Sequence, residues 1–97
     1  MANNTTISVI IPAYNVEKYL DDCLKSVMLY NSSPFEVVLV NDGSNDRTAA
    51  VCEKWVKKYS NIVYIEQENK GQGAARNIAV ARASGIWLVF LDADDTM

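Results

Sequence analysis

The spacing of the apolar residues changes repeatedly along this chain of 97 residues, and that alternation constrains the fold more than any other feature. Short β-branched runs predict strands, and stretches with apolar residues every three or four positions predict helices between them. The predicted strands are Ile7–Ala13, Phe35–Val40, Ile62–Ile65 and Ile86–Leu91. Strand and helix in strict alternation predict an α/β fold with one parallel sheet in βαβαβαβ order.

Three helices are predicted in the intervals between these strands. The first covers Val16–Met28, with Asn15 placed to cap it. The second begins near Asp46, which we interpret as a residue of the helix start. The third covers Ala74–Ser84, and Gly85 is predicted to adopt a left-handed conformation just past its end.

Composition sets limits on the class of protein. A hydrophobic fraction of 49% with 22% charged residues is typical of a globular domain, and the length allows one domain. We expect a flexible N-terminus over residues 1–6 and a single domain over residues 7–97. The net charge of −3 and the lack of a basic stripe predict no nucleic-acid partner.

The absence of histidine and the presence of only two cysteines limit the chemistry available to the chain. The sequence contains no histidine, so acid-base or metal chemistry must depend on carboxylates. Cys23 and Cys52 fall at apolar positions of helical patterns and are predicted to be reduced core thiols. No apolar run approaches the ~20 residues that span a bilayer. We therefore expect a cytoplasmic location. Residues outside this chain could still attach the full-length protein to the cytoplasmic face of a membrane.

Polar side chains follow every predicted strand. Because ligands of open parallel sheets bind beyond the carboxyl ends of the strands, these residues form the candidate site. They are Tyr14, Asn15, Asn41, Asp42, Gln67, Glu68, Asn69, Asp92, Asp94 and Asp95. Such an arrangement is typical of nucleotide-binding sheets.

The acidic cluster of Asp92, Asp94 and Asp95 is the most informative of these features. Like charges at ~4 Å cost about 4 kcal/mol per pair at an effective dielectric of about 20, so the cluster predicts a bound cation. Carboxylates without His or Cys select Mn²⁺ or Mg²⁺. A solvated acidic turn or a helix cap is the structural alternative.

Structural alternatives also stay open for three other candidates. Asp42 can bind a ligand or cap its own Asp-Gly-Ser turn. Tyr14 can stack on a base or pack against a helix. Arg76 can offer a fixed cation at the start of the third helix or form a surface salt bridge. The Gly71-x-Gly73 pair does not match the dinucleotide-binding fingerprint.

Four sequence blocks stand out in order along the chain: Val9-Ile-Ile-Pro-Ala-Tyr-Asn15, Val38-Leu-Val-Asn-Asp-Gly-Ser44, Asn69-Lys-Gly-Gln-Gly-Ala-Ala-Arg-Asn77 and Leu91-Asp-Ala-Asp-Asp95. In this order, the blocks resemble those of glycosyltransferase family 2, the GT-A fold enzymes that use nucleotide-diphosphate sugars. The resemblance covers the chain from Ile7 to Asp95. It implies a Rossmann-like GT-A half that binds the donor.

The resemblance also implies roles for individual residues. The nucleotide-binding set is Pro12, Ala13, Tyr14, Asn15, Asp42, Arg76 and Asp92, with Asp42 reading the base, commonly uracil. Asp94 and Asp92, with Asp95 as their neighbour, would bind Mn²⁺ or Mg²⁺. The implied partners are a nucleotide-diphosphate sugar donor, commonly UDP-linked, and an unknown acceptor that is a saccharide, lipid or protein.

Family members continue beyond the Asp-x-Asp element, and that second half is expected to supply the acceptor site and the general base. We therefore expect the 97-residue chain alone to lack transfer activity, and its exposed sheet edge to favour self-association. Two alternatives remain. Val89–Thr96 also fits haloacid-dehalogenase-like phosphatases, in which Asp92 would be the nucleophile. The chain can also be a nucleotide-binding or interaction module without catalysis.

Overall fold

The computed structural model describes residues 5–30 and 34–93, so the predicted metal ligands Asp94 and Asp95 lie outside the described residues. Four strands and three helices alternate along the chain, which confirms the predicted α/β order. The elements are β1 (Ile7–Ala13), α1 (Leu20–Tyr30), β2 (Phe35–Asp42), α2 (Thr48–Lys58), β3 (Ile62–Gln67), α3 (Gln72–Arg82) and β4 (Trp87–Phe90).

All strand pairs are parallel, and the strand order across the sheet is β3-β2-β1-β4. The chain moves outward from β1 to β2 and β3, then crosses back to place β4 on the other side of β1. The direction of strand succession therefore reverses between β1 and β4. In open parallel sheets, such a switch point leaves a crevice beyond the carboxyl ends of the two strands.

Two apolar layers cover the two faces of the sheet. Side chains alternate between the faces along β1 and β2, so Ile11 and Leu39 pack on one side while Ile10 and Val38 pack on the other. The first face carries α1 and α2, whose buried residues include both cysteines. Ala75 and Ala79 of α3 are fully buried against the second face, because their small side chains allow close approach.

Helix α1 begins at Leu20 and not at Val16, so the predicted start is wrong by about one turn. Asn15 has a left-handed φ of 52° and does not cap the helix. A turn follows, in which the amides of Tyr19 and Leu20 both donate to the Val16 carbonyl oxygen. Tyr19, which lies in this turn, is 53% exposed.

A buried carboxylate ties the amino-terminal ends of β1 and β2 to the link between α3 and β4. Glu36, 8% exposed, accepts hydrogen bonds from Ser8 Oγ at 2.6 Å and from Ser84 N at 2.6 Å. Burial raises the pKa of Glu36, but these hydrogen bonds outweigh it and hold the pKa below its usual range.

Gly85 is needed for close approach and not for a left-handed turn, so that prediction is wrong. Only Gly43 and Gly71 have positive φ among the described glycines. A Cβ on Gly85 would lie 2.7 Å from Ser8 N and 2.8 Å from Ile7 C. The Gly85 amide also donates to Ser8 Oγ at 2.8 Å, which fixes this close approach.

Backbone hydrogen bonds to the segments beside β1 start one residue before the strand. The Thr6 amide donates to the Pro34 carbonyl oxygen, and the Thr6 carbonyl oxygen accepts from Ile86 and Trp87. Thr6, the last residue of the stretch predicted as flexible, is thus hydrogen-bonded to the chain segments on both sides of β1. Strand β4 forms one edge of the sheet. Its apolar side chains Trp87 and Phe90 are 67% and 51% exposed to solvent. None of the helices within the described ranges is long and apolar enough to span a bilayer.

We predict that Gly85→Ala lowers the free energy of unfolding by about 1–3 kcal/mol, because the new methyl group meets backbone atoms of the adjacent strand that cannot move aside easily. Urea denaturation measures the change. Gly73→Ala is the matched control: nothing lies within 4 Å of its Cβ position, and alanine favours the first turn of α3. A Gly85 variant as stable as wild type would contradict the close approach.

We predict that Glu36→Gln lowers the free energy of unfolding at pH 7 by about 1–3 kcal/mol, because buried donors lose a charged acceptor. Since the folded pKa lies below the ordinary value of 4.5, the contribution of Glu36 is complete above that pH and is lost as the pH falls through the folded pKa. The free energies of unfolding of the wild type and of Glu36→Gln should therefore converge at acid pH. The exposed Glu53→Gln is the control, and a stability gap independent of pH would refute the prediction.

Candidate functional site

A cleft of about 470 Å³ opens at the carboxyl edge of the sheet, at the switch point between β1 and β4. Asp42 and Asp92 line the same cleft, although they are far apart in the sequence. The lining residues are Pro12, Ala13, Tyr14, Val16, Asp42, Asn69, Gly71, Gln72, Asp92 and Ala93. The structure thus brings together five of the residues predicted for nucleotide binding and adds five others.

The loop after β1 is held by the turn after β2 through consecutive backbone amides. Three of these amides donate to three side-chain oxygens: Asn15 N to Ser44 Oγ at 3.0 Å, Val16 N to Thr48 Oγ1 at 2.9 Å and Glu17 N to Asp46 Oδ2 at 3.4 Å. Asn45 N donates back to Asn15 Oδ1 at 2.7 Å. This set of bonds, which we call the loop zipper, fixes the segment that carries Tyr14.

Asn15 belongs to the loop zipper and is not among the described residues that line the cleft. Its left-handed backbone is stabilised by bonds from both its amide and its side chain. The structure therefore places Asn15 as a support for the site. The sequence predicted it as a nucleotide contact because it follows β1 directly, and proximity along the chain does not reveal the direction of a side chain.

Asp46 joins the loop zipper to the start of α2. Its Oδ1 accepts from Thr48 N at 2.9 Å and from Thr48 Oγ1 at 2.6 Å. Burial raises the pKa of Asp46, yet the bonds from Thr48 and from the Glu17 amide lower the pKa below its ordinary value. Asp46 thus stands at the helix start, as we interpreted it, and both Asp46 and Thr48 also reach the first loop.

Asn41, and not Asp42, holds the turn that follows β2. Asn41 Oδ1 accepts from Ser44 N at 3.1 Å and from Ser44 Oγ at 2.6 Å. Gly43 within this turn has φ 70°, and a Cβ there would lie 2.7 Å from Asn69 N. The turn therefore packs directly on the loop after β3, and the proposed capping of its own turn by Asp42 is wrong.

Asp42 is 4% exposed and accepts hydrogen bonds from the segment that follows β3. Its Oδ1 accepts from Gln67 Nε2 and from Lys70 N, both at 2.8 Å, and its Oδ2 accepts from Gly71 N at 3.0 Å. Burial raises the pKa of Asp42, but these three hydrogen bonds together lower the pKa below its ordinary value. The carboxylate is therefore charged and already well provided with donors.

Asp92 meets the start of α3 across the cleft. Asp92 Oδ1 accepts from Gln72 Nε2 at 3.0 Å and lies 3.6 Å from Arg76 Nη2. The side chains of Arg76 and Asp92 are about half exposed, so this ion pair is weak in water. Arg76 therefore lies beside the cleft, next to Asp92. It is not among the described residues that line the cleft.

Two carboxylates, Asp42 and Asp92, line the described part of the cleft. Residues 5–30 and 34–93 contain no group of three or more His, Cys, Asp or Glu side chains that could hold a metal ion. Asp92 is the one predicted ligand within them. Its neighbours along the cleft offer oxygen donors, and both cysteines are buried in the apolar layer, so the donor chemistry suits a hard cation.

Gln72, which lines the cleft, carried a sequence signal that we did not use. Gln72 lies between two glycines at the start of a helix, where a side chain is well placed to face the strand ends. Asn69 follows β3 and was noted as polar, but nothing in the sequence ranks it above Gln67 or Glu68. Val16 and Ala93 are apolar and gave no sign of a role in a site.

Comparison with known proteins agrees with this geometry. The chain is 45% identical over 89 residues to the glycosyltransferase GlyA of Streptococcus pneumoniae serotype 4, covering 92% of this chain and 13% of GlyA. Its fold is similar to that of S. aureus TarS 1–349 in complex with UDP-GlcNAc, with a TM-score of 0.85, 38% identity, and coverage of 95% of this chain and 27% of that TarS chain.

The fold of this chain is also similar to that of a second solved structure. It is the mannosyltransferase PcManGT from Pyrobaculum calidifontis in complex with GDP-Man and Mn²⁺, with a TM-score of 0.86, 27% identity, and coverage of 97% of this chain and 29% of PcManGT. The chain thus spans less than a third of the length of each of these proteins. The family model for glycosyl transferase family 2 matches residues 8–97, and the chain belongs to that family.

Proposed function

We propose that the cleft binds a nucleotide-diphosphate sugar, with UDP as the nucleotide, and that the chain is the donor-binding part of a glycosyltransferase. The observation that carries the proposal is the convergence of Asp42 and Asp92 on one cleft at the switch point of the sheet. The complexes of TarS with UDP and with UDP-GlcNAc support this choice of nucleotide. The comparisons also favour transfer over the phosphatase alternative built on Asp92.

Each proposed contact follows from where the structure places the residue. Tyr14 is 43% exposed on a loop fixed by the loop zipper, so its ring can stack on a base without further ordering. Pro12 and Ala13 form the floor beside it. Arg76 lies close to Asp92 and offers planar donors to a phosphate or a ribose oxygen.

We further propose that Asp92, together with Asp94 outside the described residues, holds Mn²⁺ or Mg²⁺. The residues present fit such an ion, because these hard cations retain waters and share their coordination with substrate phosphates, so few protein carboxylates are required. The PcManGT complex with Mn²⁺ supports the assignment. When bound, the cation would neutralise the charge that develops on the departing nucleoside diphosphate.

We predict that calorimetry detects UDP binding that is stronger with Mn²⁺ than without it, and that Asp92→Asn reduces the metal-dependent part of the affinity by about tenfold or more. The reason is the loss of a charged oxygen ligand at the cleft. Glu53→Gln, an exposed carboxylate on α2, is the control and should bind as wild type does. Equal UDP affinity with and without metal would exclude the metal assignment, and absent UDP binding would exclude the donor site.

A further inference from the structure

The side chain of Asn41, which holds the turn after β2, is itself held by a side chain of β3. Asn41 Nδ2 donates to the Tyr64 hydroxyl at 3.1 Å, and that hydroxyl donates to Glu66 Oε1 at 2.9 Å. We propose that Tyr64 is a positioning residue for the nucleotide cleft, which acts through Asn41 on the loop that carries Tyr14. The inference rests on the proposed function, since it concerns how the nucleotide cleft is built.

The pairing of β2 with β3 brings these side chains together. Asn41 lies opposite Glu66 in the parallel register, and Leu39 lies opposite Tyr64 two residues earlier. Side chains two residues apart along a strand share one face of the sheet, and here it is the face covered by α1 and α2. Tyr64 packs against the apolar layer of that face, which fixes the position of its hydroxyl.

The direction of each hydrogen bond follows from the groups involved. A backbone amide can only donate, so Asn41 Oδ1 must face Ser44 N, and Asn41 Nδ2 must then face Tyr64. Burial raises the pKa of Tyr64, so its hydroxyl keeps its proton at neutral pH. That proton goes to Glu66, which leaves a lone pair of the hydroxyl oxygen for Asn41 Nδ2. Tyr64 therefore supports the orientation of Asn41 that the turn requires.

The same series of hydrogen bonds continues to the loop after β1. Ser44 Oγ donates to Asn41 Oδ1 at 2.6 Å and accepts from Asn15 N at 3.0 Å. Asn15 directly follows Tyr14, which lines the cleft. Hydrogen bonds of one consistent direction therefore run from the Asn15 amide to the Glu66 carboxylate, and bonds in such a series strengthen one another.

Loss of the Tyr64 hydroxyl would leave a buried donor without its partner. Asn41 is 5% exposed, and in Tyr64→Phe its Nδ2 would face a phenyl ring. The Asn41 side chain would have to move to find another acceptor, and its hold on Ser44 would weaken. Tyr14 would then have to become ordered when the nucleotide binds, which lowers affinity. Tyr64 is not among the described residues that line the cleft, so it acts only through these contacts.

We predict that Tyr64→Phe weakens UDP binding in the presence of Mn²⁺ by about three- to tenfold, as calorimetric titration of the 97-residue chain measures. Amide hydrogen exchange should become about tenfold faster at Asn15 and Ser44, because their acceptors are less firmly held. The Lys70 and Gly71 amides donate to a carboxylate on the other face of the sheet, and their exchange should not change.

Two further variants accompany Tyr64→Phe. Tyr59→Phe is the matched control, because it removes a hydroxyl from a ring that stacks on Trp55, before β3 begins, and it should bind UDP as wild type does. Ser44→Ala interrupts the series at a partly exposed position, so it tests the inference where Tyr64→Phe does not fold. It should reproduce both the weaker UDP binding and the faster exchange at Asn15.

A double-mutant cycle separates positioning from general destabilisation. If Tyr64 acts through the loop that carries Tyr14, Tyr64→Phe should weaken UDP binding by less than about twofold in a Tyr14→Ala background. A merely structural effect would instead lower the affinity by the same factor in both backgrounds.

Three results would overturn the inference: equal losses of affinity in the two backgrounds, UDP affinity unaffected by Tyr14→Ala, or unaltered exchange at Asn15 and Ser44. If the wild-type chain does not bind UDP, the proposed function fails, and the exchange rates alone then decide whether Tyr64 holds the loop. Failure of the function and failure of the positioning role are therefore distinguishable.

Discussion

The backbone amides of the loops beyond the strands have no strand or helix partner, and they must find acceptors elsewhere. In this structure the acceptors are side chains carried by the end of β2 and the turn after it. Ser44, Asp46 and Thr48 bind the amides of the loop after β1, and Asp42 binds those of the loop after β3. Side chains at the end of β2 and just after it thus hold both loops that form the walls of the cleft.

Strand β2 can serve this purpose because it is an inner strand of the sheet and is buried along nearly its whole length. It pairs with β1 on one side and β3 on the other, and its residues from Glu36 to Asp42 are all buried. A carboxylate stands at each end of that buried stretch. Among the described residues, backbone amides and uncharged side chains stabilise the charges of both Glu36 and Asp42.

The sequence was informative where a residue's role depends on local pattern. The boundaries of β1 were predicted as observed, and the convergence of Asp42 and Asp92 followed from the rule for strand ends. The end of β2 was missed by two residues, because polar Asn41 and Asp42 end the apolar run yet still pair with Glu66 and Gln67.

The remaining errors concern contacts between segments distant in sequence. The late start of α1 depends on acceptors some thirty residues further along the chain, and the role of Gly85 depends on its contact with Ser8. The donors to Asp42 include backbone amides, which every residue except proline possesses, so no residue type marks them. Such partners become visible only when the loops are placed in three dimensions.

Burial of the two sulfur atoms has a practical consequence for study of this protein. Cys23 and Cys52 are both fully buried, and burial raises the pKa of Cys52 to about 12, so its reactive thiolate is scarce at neutral pH. Maleimide reagents should therefore leave the native chain essentially unlabelled. A single cysteine introduced at an exposed position such as Lys70 would then carry a fluorophore or spin label without any need to remove the native thiols.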